Sequence, residues 1–135
     1  YIIISTGGDV AFSVTSGSTA QINTLATVSL NSWVNISTVF DGSLVASERL
    51  KIYIDGVLQS TTVPNTPPTN TGSIGVGNWS WGSITGLTGS LMGYLDEGAI
   101  YDYPLTQQNV TDIYNGGTPT DLSLSHSYRP KPLVT

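Results

Sequence analysis

Apolar residues recur at every second position through much of the chain, which is the spacing of a β-strand with one face on a core. The first clear row is Val10, Phe12 and Val14. The second row is Val34, Ile36 and Phe40, with Thr38 at the alternating position between the last two. The third row is Leu50, Ile52 and Ile54. This alternation predicts an antiparallel all-β protein whose strands turn one side to the core and the other to water.

Turn residues separate these rows. The strongest signal is Asp55-Gly56, which joins the row at 50–54 to the extended run at 57–60. Both central residues of a type I′ turn need positive φ, which Asp-Gly tolerates, so this pair predicts a tight hairpin. Other turn signals lie between the remaining rows: Gly7-Gly8, Ser16-Gly17-Ser18, Asn31-Ser32, Asp41-Gly42 and Thr71-Gly72.

The strand pattern becomes weaker after the hairpin. Prolines within 63–70 predict an extended loop, since proline cannot donate to a strand ladder. Ile74 and Val76 then predict a short strand. Residues 91–101 predict another strand with a bulge near Gly98, where the alternation changes parity.

One short helix is predicted near 106–115. Thr106 is placed to cap its first turn, and Leu105 and Val110 are placed to pack together as a hydrophobic staple. Asn109 stands where a standard capping box has Glu. We therefore expect the start of this helix to be weaker than it could be.

Composition narrows the classes of function. The chain has 135 residues, 39% of them hydrophobic, enough for one core without staples. Charged residues make up only 10% and the net charge is −5, so nucleic-acid phosphates would be repelled. The absence of cysteine excludes disulfides and cysteine-based zinc sites, and no apolar run reaches the length of a membrane span. We expect one domain over 1–117 and an extended connector or tail over 118–135.

An ordered set of sequence blocks lies between residues 33 and 117. The blocks are Trp33-Val-Asn-Ile-Ser-Thr-Val-Phe-Asp-Gly42, Leu50-Lys-Ile-Tyr-Ile-Asp-Gly56, Ile74-Gly-Val-Gly77, Gly93-Tyr-Leu-Asp-Glu-Gly-Ala-Ile-Tyr101 and Tyr114-Asn-Gly-Gly117. In this order they resemble the laminin-G-like jelly-roll domain of the concanavalin A-like lectin and glucanase superfamily. The resemblance implies a two-sheet antiparallel β-sandwich that binds glycans or proteins on the outside of cells and virus particles.

Two departures from the family pattern bear on assembly. Such domains usually carry an earlier aromatic-rich strand before the region that matches 1–6, and relatives often run on into another strand where this chain stops at Thr135. We therefore expect part of a longer polypeptide, or a homo-oligomer in which a neighbouring subunit completes the sheet. Either arrangement exposes an unpaired edge, which is a site for strand addition.

The carboxylates do not predict a glycosidase. Retaining glycoside hydrolysis needs two carboxylates about 5 Å apart on one face, which a strand supplies at alternating positions. The two glutamates are Glu48 and Glu97, and Glu97 has Asp96 as its direct neighbour, so the two point to opposite faces of a regular strand. His126, the single histidine, has no acidic residue close in sequence. We expect no enzyme activity.

A structural calcium ion is the one cofactor that the resemblance implies, because many relatives hold one with carboxylates and loop carbonyls. Asp96 is the ligand carried over from the resemblance, and Asp9 and Asp41 are weaker candidates. Oxygen ligands of this kind are those that calcium prefers. Asp41 and Asp55 have a simpler interpretation as turn residues that accept local hydrogen bonds.

The candidate ligand-binding segment is Asn78-Trp79-Ser80-Trp81. Two indoles at i and i+2 can share one face and stack on sugar rings, while Asn78 and Ser80 bind hydroxyl groups. Equally, Trp79 and Trp81 can seal a sandwich edge or a protein interface, since tryptophan is a favoured anchor of protein contacts. Trp33 begins a predicted core strand, so we expect it to be packed.

These observations predict a non-catalytic recognition module for a glycan or a protein, displayed on a cell-surface or virion structural protein. The alternative is a purely structural or decoration subunit of a virus particle or other extracellular assembly, with no sugar ligand. Exposure of both indoles at 79 and 81 would favour the glycan, and their burial against another chain would favour assembly. In both cases we expect an extracellular location and neighbouring protein subunits or glycans as partners, with no nucleic acid and no membrane span.

Overall fold

Strands dominate the structure, a computed structural model that describes residues 1–5, 7–16, 18–29, 31–62 and 93–118. The strands are β1 (Ile2–Ile4), β2 (Asp9–Ser16), β3 (Ser18–Thr27), β4 (Ile36–Phe40), β5 (Leu50–Ile54) and β6 (Val57–Leu58). The helix is α1 (Gln107–Tyr114), and short 3₁₀ turns cover Ala46–Glu48 and Asn115–Gly117. The all-β prediction with one short helix is confirmed.

The chain divides into two units. One is Tyr1–Gly72 with Tyr103–Thr120, and the other is Ser73–Asp102 with Asp121–Thr135. The strands and the helix named above belong to the first unit. Of the second unit the structure describes 93–102. The division into 1–117 and 118–135 stays a prediction.

The first sheet has the order β1-β2-β3, with both pairs antiparallel. Val10, Phe12 and Val14 lie on β2 and pack in the core, as their alternation predicts. The register of β3 shifts against β2 between Asp9 and Ala11. At this irregularity the buried Thr24 hydroxyl accepts a hydrogen bond from Val10 N at 3.0 Å and donates to the carbonyl of Ala26 at 2.7 Å. The side chain of Thr24 therefore replaces a missing ladder bond.

The second sheet has the order β4-β5-β6, also antiparallel. Its β5–β6 hairpin turns at Asp55 and Gly56, whose φ angles are 50° and 77°. Both values are positive, as a type I′ turn requires, so the predicted hairpin is confirmed. Beyond β6 the chain moves to the first sheet, where Leu25 N donates to the Ser60 carbonyl at 3.0 Å and Thr62 N to that of Asn23 at 2.9 Å. Residues 60–62 thereby cover the outer edge of β3.

Facing sides of the two sheets form the main core. Its fully buried members come from both sheets: Val10, Ala20, Ile22, Leu50 and Ile52. Partly buried side chains that pack against them include Phe12, Val14, Ile36, Phe40 and Ile54. These core residues include every apolar member of the three predicted rows except Val34, which precedes β4, and they form the packing of a β-sandwich.

A second, smaller core lies on the opposite face of β4 and β5. Val39 and Tyr53 pack there against Val110 of α1, with Leu105 partly buried beside them. The alternation of β4 and β5 predicts water on this face. The helix covers it instead, so the second sheet is apolar on both sides.

The helix begins more firmly than Asn109 suggests. Asn109 N donates to Thr106 Oγ1 at 3.2 Å, and Thr106 N donates to Asn109 Oδ1 at 3.0 Å. These reciprocal bonds form a capping box in which the Asn amide takes the place of a Glu carboxylate. The predicted cap at Thr106 is confirmed, and the shorter Asn109 side chain still reaches the free backbone N–H; the lower strength of this start relative to one with Glu stays a prediction.

The strand predicted over residues 91–101 is wrong for the part that the structure describes. Residues 93–100 have no strand assignment, and Tyr101 forms only a single bridge. Glu97 has a φ of 50°, a left-handed conformation that interrupts an extended chain. The backbone is irregular at Glu97, one residue before Gly98, but no strand surrounds it in the described residues, so the predicted bulge within a strand is wrong. The predicted loop at 63–70 and strand at 74–76 lie outside the described residues.

Candidate functional site

The predicted ligand-binding segment lies outside the described residues. Asn78, Trp79, Ser80 and Trp81 all fall within 63–92. Their role in binding a glycan or a neighbouring subunit stays a prediction.

Asp96, the predicted calcium ligand, is an exposed residue next to the left-handed Glu97. Its Oδ1 accepts a hydrogen bond from Glu97 N at 2.9 Å, so the carboxylate supports its own turn. Among the residues that the structure describes, no three Asp, Glu or His side chains come together as a metal-binding group. A calcium ion at Asp96 stays a prediction whose remaining ligands would have to be loop carbonyls or residues outside the described ranges.

The other acidic side chains near turns all accept hydrogen bonds, Asp41 and Asp9 from residues close in sequence and Asp55 from the distant Asn35. Asp41 Oδ1 accepts from Ser43 Oγ at 2.6 Å and from Ser43 N at 3.0 Å, and these bonds lower the pKa of Asp41 from 3.8. Asp55 Oδ1 accepts from Asn35 N at 2.9 Å, and Asp9 Oδ2 accepts from Ser5 Oγ at 3.1 Å. Asp41 therefore serves its turn through its side chain, as predicted, and Asp55 serves its turn through its positive φ while its side chain bonds to Asn35.

Trp33 is exposed, and the prediction that it packs in the core is wrong. Its side chain is 70% exposed. The indole precedes β4, which begins only at Ile36, and follows Asn31, whose φ of 57° turns the chain. The signal that sequence reasoning missed is this position outside the alternating row, directly after a polar turn. Trp33 is thus an exposed indole in the described part of the chain.

Among the described residues, β1 is an outer strand of the first sheet, with β2 as its neighbour. Tyr1 pairs with Ser13 through two backbone bonds of 2.9 Å, and Ser5 N donates to the Asp9 carbonyl at 2.9 Å. Hydrogen-bonded pairs alternate along an antiparallel ladder, so the backbone groups of Ile2 and Ile4 point away from β2. We call these outward N–H and C=O groups, with the Ile2 and Ile4 side chains, the β1 edge.

The two side chains of the β1 edge lie on the core face of the sheet. Ile2 pairs with Phe12 and Ile4 with Val10, and directly paired residues share a face. Val10 is completely buried, yet Ile2 is 51% exposed and Ile4 is 42% exposed. Val10 of β2 is therefore fully covered, whereas Ile2 and Ile4 of β1 are covered only in part.

The outer face of the first sheet is polar by contrast. Tyr1 Oη donates to Gln21 Oε1 at 2.9 Å, and Gln21 Nε2 donates to Asn23 Oδ1 at 2.8 Å. This chain of bonds runs from β1 to β3 across Ser13, which is buried and whose hydroxyl has no partner. Apart from the Ser13 hydroxyl, the polar side chains named here on the outer face bond to one another, and the exposed isoleucines lie on the other face.

The comparison with known families decides the class of the protein. The Laminin_G_3 family model, described as the concanavalin A-like lectin/glucanases superfamily, matches residues 1–111. The chain belongs to this laminin-G-like family. The match extends the resemblance seen over 33–117 through the first three strands. A search of curated proteins and a search of solved structures each found no match.

Laminin-G-like domains are typically extracellular, generally non-catalytic, and often bind proteins or glycans, although the superfamily also includes glycosidases. The two three-stranded antiparallel sheets of this laminin-G-like domain are consistent with a β-sandwich of the concanavalin A-like fold. No helix in the described ranges has the length and apolarity that crossing a membrane requires.

Proposed function

We propose that this laminin-G-like domain is a non-catalytic recognition module whose ligand is a glycan on an extracellular surface. The observation that carries the proposal is the membership of a lectin-type family by a chain that holds two tryptophans at alternate positions, Trp79 and Trp81. Indole rings stack on the apolar faces of sugars, and Asn78 and Ser80 supply hydrogen-bonding groups beside them. The low charge of the chain suits a neutral, hydroxyl-rich ligand.

The acidic residues of the described part support binding rather than catalysis. Asp41 and Asp96 accept hydrogen bonds from residues within two positions of them, and Asp55 accepts one from Asn35 N across the second sheet. Glycoside hydrolysis instead needs a pair of carboxylates facing an open cleft at a defined separation. The display of many copies on a cell surface or a virion would raise weak affinity for single sugars by multivalency.

A glycan array probed with the wild-type chain tests this proposal directly. Trp79→Ala and Trp81→Ala are expected to abolish binding to the glycans that the wild type retains, because each removes one stacking platform. Trp33→Ala is the matched control, since Trp33 is an exposed indole outside the predicted segment. The proposal would be contradicted if the wild type bound no glycan on the array. It would also be contradicted if a variant with both Trp79→Ala and Trp81→Ala bound glycans as well as the wild type does.

The second candidate is a structural or decoration subunit that contacts other protein subunits. The half-exposed Ile2 and Ile4 favour it, because apolar side chains at an unpaired edge are a feature of protein contacts. The native mass of the protein separates the two candidates. A free monomer of 14.2 kDa would argue against assembly, and a large regular complex would argue for it.

A further inference from the structure

We propose that the Asn115-Gly116 step is a site of spontaneous deamidation, and that the cap which ends α1 controls how fast it reacts. In this reaction the Gly116 backbone nitrogen attacks the Asn115 side-chain carbon Cγ. A C–N bond to Gly116 forms, the C–N bond to the side-chain NH₂ breaks, and ammonia leaves with the proton of the Gly116 amide. Water then opens the cyclic imide to aspartate or isoaspartate. The proposal does not depend on glycan binding.

The residue that follows an asparagine decides how easily its amide is attacked. Glycine leaves the attacking nitrogen unhindered because it has no Cβ, and it gives the backbone the widest freedom to reach the geometry of the ring. Asn115 is the one asparagine of the chain that precedes a glycine. Asn31 has a similar left-handed backbone, with a φ of 57°, but Ser32 follows it. The chain therefore contains its own comparison, in which only the following residue differs in kind.

No side-chain bond restrains the Asn115 amide. The amide oxygens of Asn23, Asn35 and Asn109 each accept a hydrogen bond from a neighbouring side chain. No hydrogen bond in the described part of the chain engages the side chain of Asn115. The reactivity of Asn115 is thus set by its backbone and by the residue that follows it.

The backbone of the cap keeps the two reacting atoms apart. Asn115 has a φ of 45° and a ψ of 41°, and this ψ places Gly116 N nearly opposite the Asn115 Cβ across the Cα–C bond. The five-membered imide needs both on the same side, so the peptide must rotate about that bond before attack. The rotation would break the bond from Thr118 N to the Asn115 carbonyl at 3.2 Å, and Asn115 N is itself bonded to the Thr111 carbonyl. Reaction therefore requires the cap to open.

Deamidation weakens the same cap that slows it. The reaction replaces a neutral amide with a carboxylate at the C-terminus of α1, where the helix dipole is negative. The last turn of α1 holds no basic residue that could offset this charge, and Asp112 already lies there. Isoaspartate also adds a CH₂ group to the backbone at the left-handed position. The modification is therefore one-way, and it loosens the helix that packs on the second sheet through Val110.

Peptide mapping of the folded chain during incubation in mildly alkaline buffer tests the proposal. Digestion at acid pH, where cyclisation is slow, followed by mass spectrometry locates each replacement of NH₂ by OH. We expect it at Asn115 well before Asn31 in the folded chain, and in the same order but faster in urea. Gly116→Ala is compared with the wild type in urea, where the cap is absent. It should lose most of the reaction at Asn115, because the added Cβ hinders the attacking nitrogen.

Hydrogen exchange measures the opening of the cap independently. The Asn115 N–H exchanges when its bond to the Thr111 carbonyl breaks, so its protection factor should match the ratio of the deamidation rates in the unfolded and folded chains. Val110→Ala loosens the helix and should lower the protection factor and that ratio by the same factor. Gln108→Ala, on the exposed side of α1, is the matched control and should change neither.

Three results would overturn the proposal. The first is an equal rate of deamidation at Asn115 in the folded and unfolded chains, which would mean that the cap offers no protection. The second is an Asn115 that reacts no faster than Asn31 in urea. The third is a Val110→Ala variant in which the Asn115 N–H exchanges faster while deamidation keeps the wild-type rate.

Discussion

The two sheets of this laminin-G-like domain differ in how completely they are covered. The second sheet has a core on both faces, formed on one side by the first sheet and on the other by Val110 of α1. The first sheet has one polar outer face, and its β1 strand extends beyond the cover of the opposing sheet. Ile2 and Ile4 of β1 are therefore more exposed to water than the residues of β2 with which they pair.

Truncation of one isoleucine in each sheet should give the largest difference in the free energy of unfolding between the two sheets. Ile52 is completely buried in the main core, so Ile52→Ala should lower the free energy of unfolding by about 2–5 kcal/mol. Ile4→Ala removes the same atoms at a position that is 42% exposed, and we expect a loss of about 1 kcal/mol. Urea unfolding at a protein concentration that keeps both variants monomeric measures the two values. Equal losses would show that β1 is covered as fully as β5.

Truncation of the helix tests whether the second face of the second sheet contributes to stability. Val110 is completely buried against Val39 and Tyr53, so Val110→Ala should cost roughly 2 kcal/mol from lost burial and the cavity left behind. Gln108→Ala, on the exposed side of the same helix, should cost under about 0.5 kcal/mol. Chemical denaturation followed by circular dichroism gives both numbers. A Val110→Ala variant as stable as the wild type would mean that packing of the helix on the sheet contributes little to stability.

Alanine substitutions at two glycines distinguish backbone strain in a turn from packing of that turn against the helix. Gly56 and Gly116 have φ angles of 77° and 64°, so alanine at either position should cost about 1–2 kcal/mol in backbone strain. At Gly56 a Cβ would also lie 3.0 Å from Tyr114 Cδ1, whereas at Gly116 it would meet nothing within 4 Å. We therefore expect Gly56→Ala to be the more destabilising of the two in thermal unfolding. If Gly116→Ala were the more destabilising, close packing of Tyr114 of α1 against Gly56 would not contribute to the cost.

The smallest effect is expected at the rim of the second sheet, where Asp41 follows β4. Hydrogen bonds from Ser43 lower the pKa of Asp41 below 3.8. Because the folded pKa lies below the unfolded value, the ionised carboxylate stabilises the fold above that value, and this stabilisation is lost as the pH falls through the folded pKa. Ser43→Ala should thus cost under about 1 kcal/mol near pH 7 and less in acid.

The pH dependence of unfolding checks this last prediction. Urea midpoints of the wild type and Ser43→Ala should converge as the pH falls below the ordinary pKa of aspartate. Ser47→Ala, an exposed serine of the same β4–β5 connection, is the matched control and should show no such convergence. A difference between wild type and Ser43→Ala that is independent of pH would assign the effect to packing instead of charge.

Sequence reasoning predicted the strands whose apolar residues are large. Val10, Phe12, Leu50 and Ile52 mark β2 and β5 plainly, and the Asp55-Gly56 turn identifies the hairpin. The third strand escaped prediction as a row, because its buried side chains are of mixed size and polarity: Ala20, Ile22 and Thr24. Thr24 is buried only because it bonds to Val10 N and to the Ala26 carbonyl, and such tertiary compensation leaves no mark on a hydrophobic pattern.

The candidate site was less predictable than the fold. The turn roles of Asp41 and Asp55 follow from their place before glycine, and the structure agrees, because Asp41 bonds to Ser43 and Asp55 has the positive φ of the hairpin turn. The exposure of Trp33 could not be read from its type, since tryptophan serves cores and surfaces alike and its position depends on where β4 begins. Ligand binding by the segment Asn78-Trp79-Ser80-Trp81 stays a prediction, which rests on the spacing of these residue types.

What the sequence determined by itself is local and periodic: alternating strands, a type I′ hairpin and a capped helix, each specified by residues within a few positions of one another. Only the tertiary structure decided which faces are covered. It placed Val110 on the outer face of β4 and β5, and it left Ile2 and Ile4 uncovered on the core side of β1. Burial is a property of what lies opposite a side chain, and residues distant in sequence determine what lies opposite.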